Sequence, residues 1–219
     1  MKKNLRSLFF LPLFLLTYIA GAQVELDSTN LPIVGIYTYF TPIPDSPKID
    51  AFMGIIDNGY NVYNHVTDTN YTYCGNIGIE QRGSISNQWW FFQKSFGLET
   101  RDIFGNDSSA VILGMPMETD WILYSPYDDR TLMRNVITYE LARQMGYWAP
   151  RTKFCELLIN DFLAWDYQGV YVMMEKIKRD NNRVDIAKLD ADENTGDDLT
   201  GGYIFAVDKN INLILNLSL

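Results

Sequence analysis

Histidine occurs once in the 219 residues, at His65, and cysteine twice, at Cys74 and Cys155. These three side chains are too few for a zinc site of the usual ligand number and spacing. The two cysteines leave two options open in an exported chain, one disulfide or two buried thiols, since each lies in a strand-like run. Cationic side chains are the minority: 18 Lys and Arg against 27 Asp and Glu give a formal charge of −9. That acidic balance argues against nucleic acid as a partner. No G-x-x-x-x-G-K-S/T, G-x-S-x-G or H-E-x-x-H pattern occurs, so no complete Walker-type or hydrolase site is written in the chain. Internal repeats and low-complexity linkers are absent. After the N-terminal segment, no apolar run approaches the length of a membrane span.

The N-terminal 22 residues read as a signal peptide. Lys2, Lys3 and Arg6 form a basic stretch, Leu8 to Ile19 an apolar one, and Ala20-Gly21-Ala22 a small-residue cleavage site before Gln23. Loss of those three basic residues takes the formal charge from −9 to −12. The mature chain is therefore expected to be exported, periplasmic or secreted, with no membrane span after cleavage. Its length suits one domain, and its many Tyr, Phe and Trp residues suit a β-rich core.

Strands are expected at Leu31 to Thr38, Ala51 to Asp57, Tyr71 to Arg82 and Trp89 to Thr100, with Asn58-Gly59 as a turn signal, so that the first half reads as an antiparallel meander. A short apolar strand follows at Trp121 to Tyr124. One helix is expected at about 129–145. Asp128 or Asp129 caps it, Met133, Val136, Ile137, Leu141 and Met145 form its apolar stripe, and Gly146 ends it. Thr152 to Asn160 and Gln168 to Lys178 read as a hairpin, and Gly201 to Lys209 as a last strand. Lys176, Lys178, Arg179 and Arg183 read as a solvated basic face. Asp190 to Gly201 is similar to a calcium loop but carries Thr195 at the glycine position and Gly201 in place of the bidentate Glu, so it reads as an acidic surface loop. Asn70-Tyr71-Thr72 and Asn106-Asp107-Ser108 are glycosylation sequons by pattern only.

The segment from Ile77 to Asp102 holds the main candidate site. Two strand-like runs flank the small polar turn Arg82-Gly83-Ser84-Ile85-Ser86-Asn87, a backbone able to approach a phosphate. In the second run Phe92, Lys94, Phe96 and Leu98 alternate onto one side. A lysine on the apolar side of a strand either meets an anion or snorkels out at a sheet edge. Glu140 flanks the buried face of the expected helix and is either a partner for that lysine or a solvated flank residue. Glu175 ends the apolar strand Gly169 to Ile177 and is either a ligand-facing residue or a surface charge.

Eight segments in order carry a resemblance. They are Ile79-Glu80-Gln81-Arg82-Gly83-Ser84, Leu113-Gly114-Met115-Pro116, Asp120-Trp121-Ile122-Leu123-Tyr124, Leu132-Met133-Arg134-Asn135, Ala149-Pro150-Arg151-Thr152, Tyr167-Gln168-Gly169-Val170-Tyr171-Val172, Glu175-Lys176-Ile177-Lys178-Arg179-Asp180 and Leu199-Thr200-Gly201-Gly202-Tyr203-Ile204. The chain resembles the CotH kinase family, named for spore coat protein H, in the exported versions of Bacteroidetes-type bacteria. The resemblance spans residues 23–209 and leaves 210–219 as an unaligned tail. It implies the antiparallel-sheet-rich small lobe of an atypical protein-kinase-like fold, of α+β class with one main helix. Members bind ATP with Mg or Mn and phosphorylate protein Ser or Thr. The implied nucleotide-binding residues are Arg82, Gly83, Ser84 and Ser86 in the loop, Lys94 as the phosphate-contacting cation, Glu140 as the acid orienting it, and Glu175 beside the adenine.

Isoleucine stands at 85 where the family prefers serine, Gln93 replaces the first lysine of the family's Pro-Lys-Lys-Ser-Tyr strand, and the Asp161 to Tyr167 loop is longer than the usual turn. The family's catalytic and metal-binding aspartate segments are not found, so no catalytic and no metal-binding residue is assigned. The expectation is the N-terminal part of a CotH-like kinase, inactive as a fragment, with the helical C-terminal lobe largely absent. The alternative is a non-catalytic exported surface or protein-binding module. An apolar face left uncovered would make the chain self-associate.

Overall fold

A computed structural model describes residues 25–83, 91–161, 164–190, 192–196 and 202–204. The expected signal segment, Ser84 and Ser86, most of the strand expected at 201–209 and the tail from Asn210 lie outside the described residues. The elements in chain order are β1 (Ser28–Thr29), β2 (Ile33–Tyr37), β3 (Ile49–Ile56), β4 (Asn64–His65), β5 (Tyr71–Arg82), β6 (Ser95–Arg101), β7 (Ala110–Ile112), β8 (Met115–Glu118), β9 (Asp120–Tyr124), α1 (Arg134–Gln144), β10 (Thr152–Asn160) and β11 (Asp166–Glu175). The described protein is thus sheet-rich with a single helix.

Seven of these strands close into a barrel in the order β10-β11-β9-β6-β5-β3-β2. Every pairing is antiparallel except the one that closes it, where β2 runs parallel to β10 with Val34 opposite Leu157 and Ile36 opposite Ile159. The expected meander is therefore no open sheet. Sequence alternation identifies which side of each strand is apolar, but β2 and β10 are joined by a pairing more than a hundred residues apart that no local pattern announces.

The interior follows the two-residue period. Val34 and Ile36 from β2, Ala51, Met53 and Ile55 from β3, and Ile77 and Ile79 from β5 face inward. Phe96 and Leu98, Trp121 and Leu123, Cys155, Leu157 and Ile159, and Tyr171 and Met173 come from the other four strands, and Ile112, Leu113 and Met115 of the β7–β8 hairpin join the same core. Outside, Gly78 leaves room for a neighbour: a Cβ there would lie 2.5 Å from the Arg101 guanidinium carbon. The charge belt on this face also includes Lys48, which meets Glu80 at 3.5 Å and Glu99 at 3.1 Å.

Helix α1 starts where Asp129 holds it. The carboxylate accepts from the Arg134 N–H at 2.8 Å and from the Thr131 N–H at 3.0 Å. The helix ends in paired bonds from Gly146 N–H to Arg143 C=O and from Tyr147 N–H to Ala142 C=O, with Gly146 at φ +87°. Its expected stripe is divided. Val136, with Tyr139, packs on Ile122, Val172 and Met174 on the barrel's outer face. Met133, Ile137, Leu141 and Met145 are exposed, and no residue of the helix is fully buried. The barrel fills its own interior, so the helix is an outrigger touching it along one edge.

The two cysteines are free thiols. Cys155 points into the core, whereas Cys74 is exposed on the outside of β5, which is not a neighbour of β10. Among the described residues no helix is long and apolar enough to cross a membrane.

Candidate functional site

The site is a mouth of the barrel where β5 ends and β6 begins. Arg82 stands opposite Ser95 in the β5–β6 ladder, so the Arg82-Gly83 backbone and Lys94 come to the same place. Gly83 has φ +93°, a conformation that turns the chain off the ladder and favours glycine. Arg82 belongs to the outward-facing set with Glu80; both side chains come within 4.0 Å of where a Gly97 Cβ would sit.

Lys94 is not inside a strand. Among the described residues the strand runs Ser95–Arg101 and 91–94 lie outside it, while Trp89 and Trp90 lie outside the described residues; Phe92, assigned to the apolar side, is 82% exposed. Lys94 is half-buried immediately before the ladder. It lies at the rim, so its ammonium does not cross the apolar interior that Phe96 and Leu98 occupy.

The backbone at Lys94 is held from three directions. The buried Tyr171 hydroxyl donates to the Lys94 carbonyl at 2.7 Å. The Gln93 amide nitrogen donates to the carbonyls of Gln168 and Val170 at 3.0 and 3.1 Å, and its oxygen accepts from the Ser125 hydroxyl at 2.9 Å. Ser95 Oγ accepts from the Ser125 N–H at 3.0 Å. Burial pushes the Tyr171 phenol above its ordinary pKa, so it remains a donor across the working range. Gln93, Ser125 and Tyr171 are the supporting residues that sequence reasoning missed. The only local sign was glutamine at 93 where the related family carries lysine.

The other expected site residues lie elsewhere. Glu140 is on the exposed side of α1, where its carboxylate accepts from Gln144 at 2.9 Å and pairs with Arg143. Those bonds hold its pKa below the usual range. It serves its own helix, and the expected role of orienting Lys94 is not what these contacts do.

Glu175 is neither a surface charge nor at the mouth. It follows Tyr171 and Met173 on the inward side of β11, fully buried at the far end of the barrel, roughly 13 Å along the strand from the level of Tyr171 at 3.3 Å per residue. Its carboxylate accepts from Arg151 N–H and Nη1, each at 2.8 Å, and from Arg183 Nη1 at 2.9 Å. Arg183, expected on a solvated face, is itself buried, with its guanidinium 4.9 Å from the centre of the Trp121 ring. Lys176 and Lys178 are paired too: Lys176 meets Asp120 at 3.0 Å, and Lys178 meets Glu118 at 3.0 Å and Asp120 at 2.7 Å. Of the expected basic face only Arg179 is exposed. Acidic residues on β8 and β9, distant in sequence, turned this patch into a seam.

The mouth therefore offers a sharp glycine turn, the cationic residues Arg82 and Lys94, and a backbone fixed by buried bonds. That combination suits an anion with several oxygens, such as a polyphosphate. Among the described residues no group of three or more His, Cys, Asp or Glu side chains is placed to hold a metal ion.

The chain matches the family described as CotH kinase protein over residues 79–218. It belongs to that family. The match begins at Ile79, so β2 and β3, which complete the barrel, precede it. No curated protein matches the chain significantly.

Proposed function

We propose that the protein is an exported CotH-type kinase-related protein that binds ATP with a divalent metal at the β5–β6 mouth, in the small lobe of an atypical protein-kinase-like fold. Arg82 and Lys94 neutralise the phosphates, and the Gly83 turn brings its backbone up to them. Family membership supports the nucleotide and the protein Ser or Thr acceptor. The observation that carries the reading is the pairing of Arg82 with Ser95, which delivers the turn and Lys94 to one rim while Tyr171 locks the Lys94 carbonyl. Binding and orienting phosphates is the role assigned to these residues. No described residue is assigned as metal ligand or catalytic base.

The test is thermal unfolding of the mature chain with and without ATP and magnesium. Ligand at a hundred times Kd stabilises by about 2.7 kcal/mol. The expected result is a rise in Tm that Lys94→Ala abolishes without lowering the Tm of the unliganded chain. No shift at millimolar ATP and magnesium overturns the reading.

A second reading, a non-catalytic exported module that binds protein, is favoured by the exposed row Met133, Ile137, Leu141 and Met145 on α1. Rows of this kind mark association surfaces.

A further inference from the structure

The outer wall of the barrel opposite α1 carries a trough. Leu158, Gly35, Gly54 and Cys74 stand side by side in register across β10, β2, β3 and β5. Three of these four positions carry a small side chain or none, so the wall is low along this line. The neighbouring rows are tall: Tyr37 pairs with Phe52 on one side, and Ile33 with Ile56 and Ile56 with Tyr71 on the other. Trp165 closes over the floor, with ring carbons 3.5 Å from where a Gly35 Cβ would be. The result is a cavity of about 720 Å³, within the range of small-molecule sites.

Its walls share one chemistry. Five aromatic rings line it, from Tyr37, Phe52, Tyr71, Trp165 and Tyr167. The one charged side chain among the lining residues is Glu25, and none of them is Lys, Arg or His. A second carboxylate lies just behind the wall: buried Glu156 accepts from the Tyr167 hydroxyl at 2.7 Å and from Thr29 Oγ1 at 3.2 Å, fixing the Tyr167 ring in place. Aromatic faces are negative and attract cations, most strongly where water is partly excluded. An anion would meet π-faces and carboxylates without a countercharge.

We propose that this trough is a binding site for a small organic cation, an alkylated ammonium of about choline's size, distinct from the anion-binding mouth. The rings surround the ammonium, Glu25 supplies the countercharge, and the glycine floor admits its alkyl groups.

Cys74 in the floor provides the readout. Alkylation of Cys74 by iodoacetamide is followed by mass spectrometry on the full mature chain, with the core thiol Cys155 as the unreactive internal reference. The probes are choline and its neutral isostere 3,3-dimethylbutan-1-ol. The expected result is a several-fold slowing by choline and little by the alcohol. Trp165→Ala, at a half-exposed position, and Glu25→Gln should each lose most of the protection, while Lys94→Ala keeps it. Equal protection by both probes overturns the cation assignment. Protection by neither, or protection that survives Trp165→Ala, overturns the site.

Discussion

Glu175 and Arg183 meet inside the end of the barrel with both side chains closed off from solvent, Arg183 Nη1 donating to Glu175 Oε1 at 2.9 Å. Arg183 Nε and Nη2 have no hydrogen-bond partner; Nη1 also donates to the Asn182 and Pro116 carbonyls at 3.1 and 3.3 Å, so Glu175 is the one countercharge among its hydrogen-bond partners, beside the Trp121 face. Glu175→Gln should destabilise the chain by about 3–5 kcal/mol, because it strands a buried guanidinium. Replacing both partners by apolar residues, as in the pair Glu175→Leu and Arg183→Met, should cost much less than the sum of the single changes. Urea unfolding of the three variants measures this coupling.

Gln93 makes three hydrogen bonds, two to carbonyls of β11 and one with Ser125 just after β9, and its Nε2 sits 3.1 Å from where a Gly169 Cβ would be. Gln93→Ala should cost about 1–3 kcal/mol by leaving partly buried groups unpaired. It should also weaken the ATP-induced rise in Tm although Lys94 is intact. Gly169→Ala should be destabilising on two counts, the φ of +97° and the contact with the amide. Denaturant midpoints and ATP titrations of both variants check this.

Acid should weaken the seam between β8–β9 and the segment after β11. Burial pushes the Glu118 and Asp120 carboxyls up, but the Thr119 N–H on Glu118 and the ammonium groups of Lys178 and, for Asp120, Lys176 outweigh it and hold both below the usual range. A depressed folded pKa contributes stability that is present above the unfolded value, about 4, and lost as pH falls through the folded one. Burial alone would lower the Lys178 pKa, yet bonds to Asp120 and Glu118 raise it. Its contribution is present below about pH 10.4 and disappears as pH rises through the folded value. Urea midpoints should therefore fall on the acid side below about pH 4, and Lys178→Met should flatten that limb.

One thiol should react in the native state and two after unfolding. Cys155 is buried, and burial pushes its thiol up to about 12, leaving almost no thiolate. Cys74 is exposed. A thiol count with and without denaturant gives the result directly.

The exposed part of the α1 stripe, including Ile137 and Leu141, should govern association and contribute little to folding. Ile137→Lys with Leu141→Lys should leave Tm nearly unchanged, since both residues are exposed. The double variant should be less self-associated than the parent in sedimentation velocity.

Much of this molecule was legible in local pattern. Alternation and turn residues located β5 and β10 residue for residue and β2, β3, β9 and β11 to within three positions, since a half-buried strand must alternate whatever it pairs with; the expectation for β6 ran too far toward the loop that precedes it. The helix was legible because Asp129 and Gly146 supply its end groups locally. Motif order identified the family, and Arg82, Gly83 and Lys94 were marked as a cluster because a hairpin joins positions close in sequence.

The rest depended on partners far along the chain. Whether α1's stripe was buried could not be read from α1, because that depends on what else covers it. Glu140 turned to its own helix and Glu175 to Arg151 and Arg183, since a carboxylate is satisfied by whichever donor the fold brings near. Closure of β2 on β10 decided that the meander is a barrel and placed Gly35, Gly54 and Cys74 in one row. The sequence by itself determined which faces are apolar, where the chain turns and which family it joins. Only the tertiary structure decided which charges are buried and which surfaces stay open, because burial is set by neighbours that local pattern does not name.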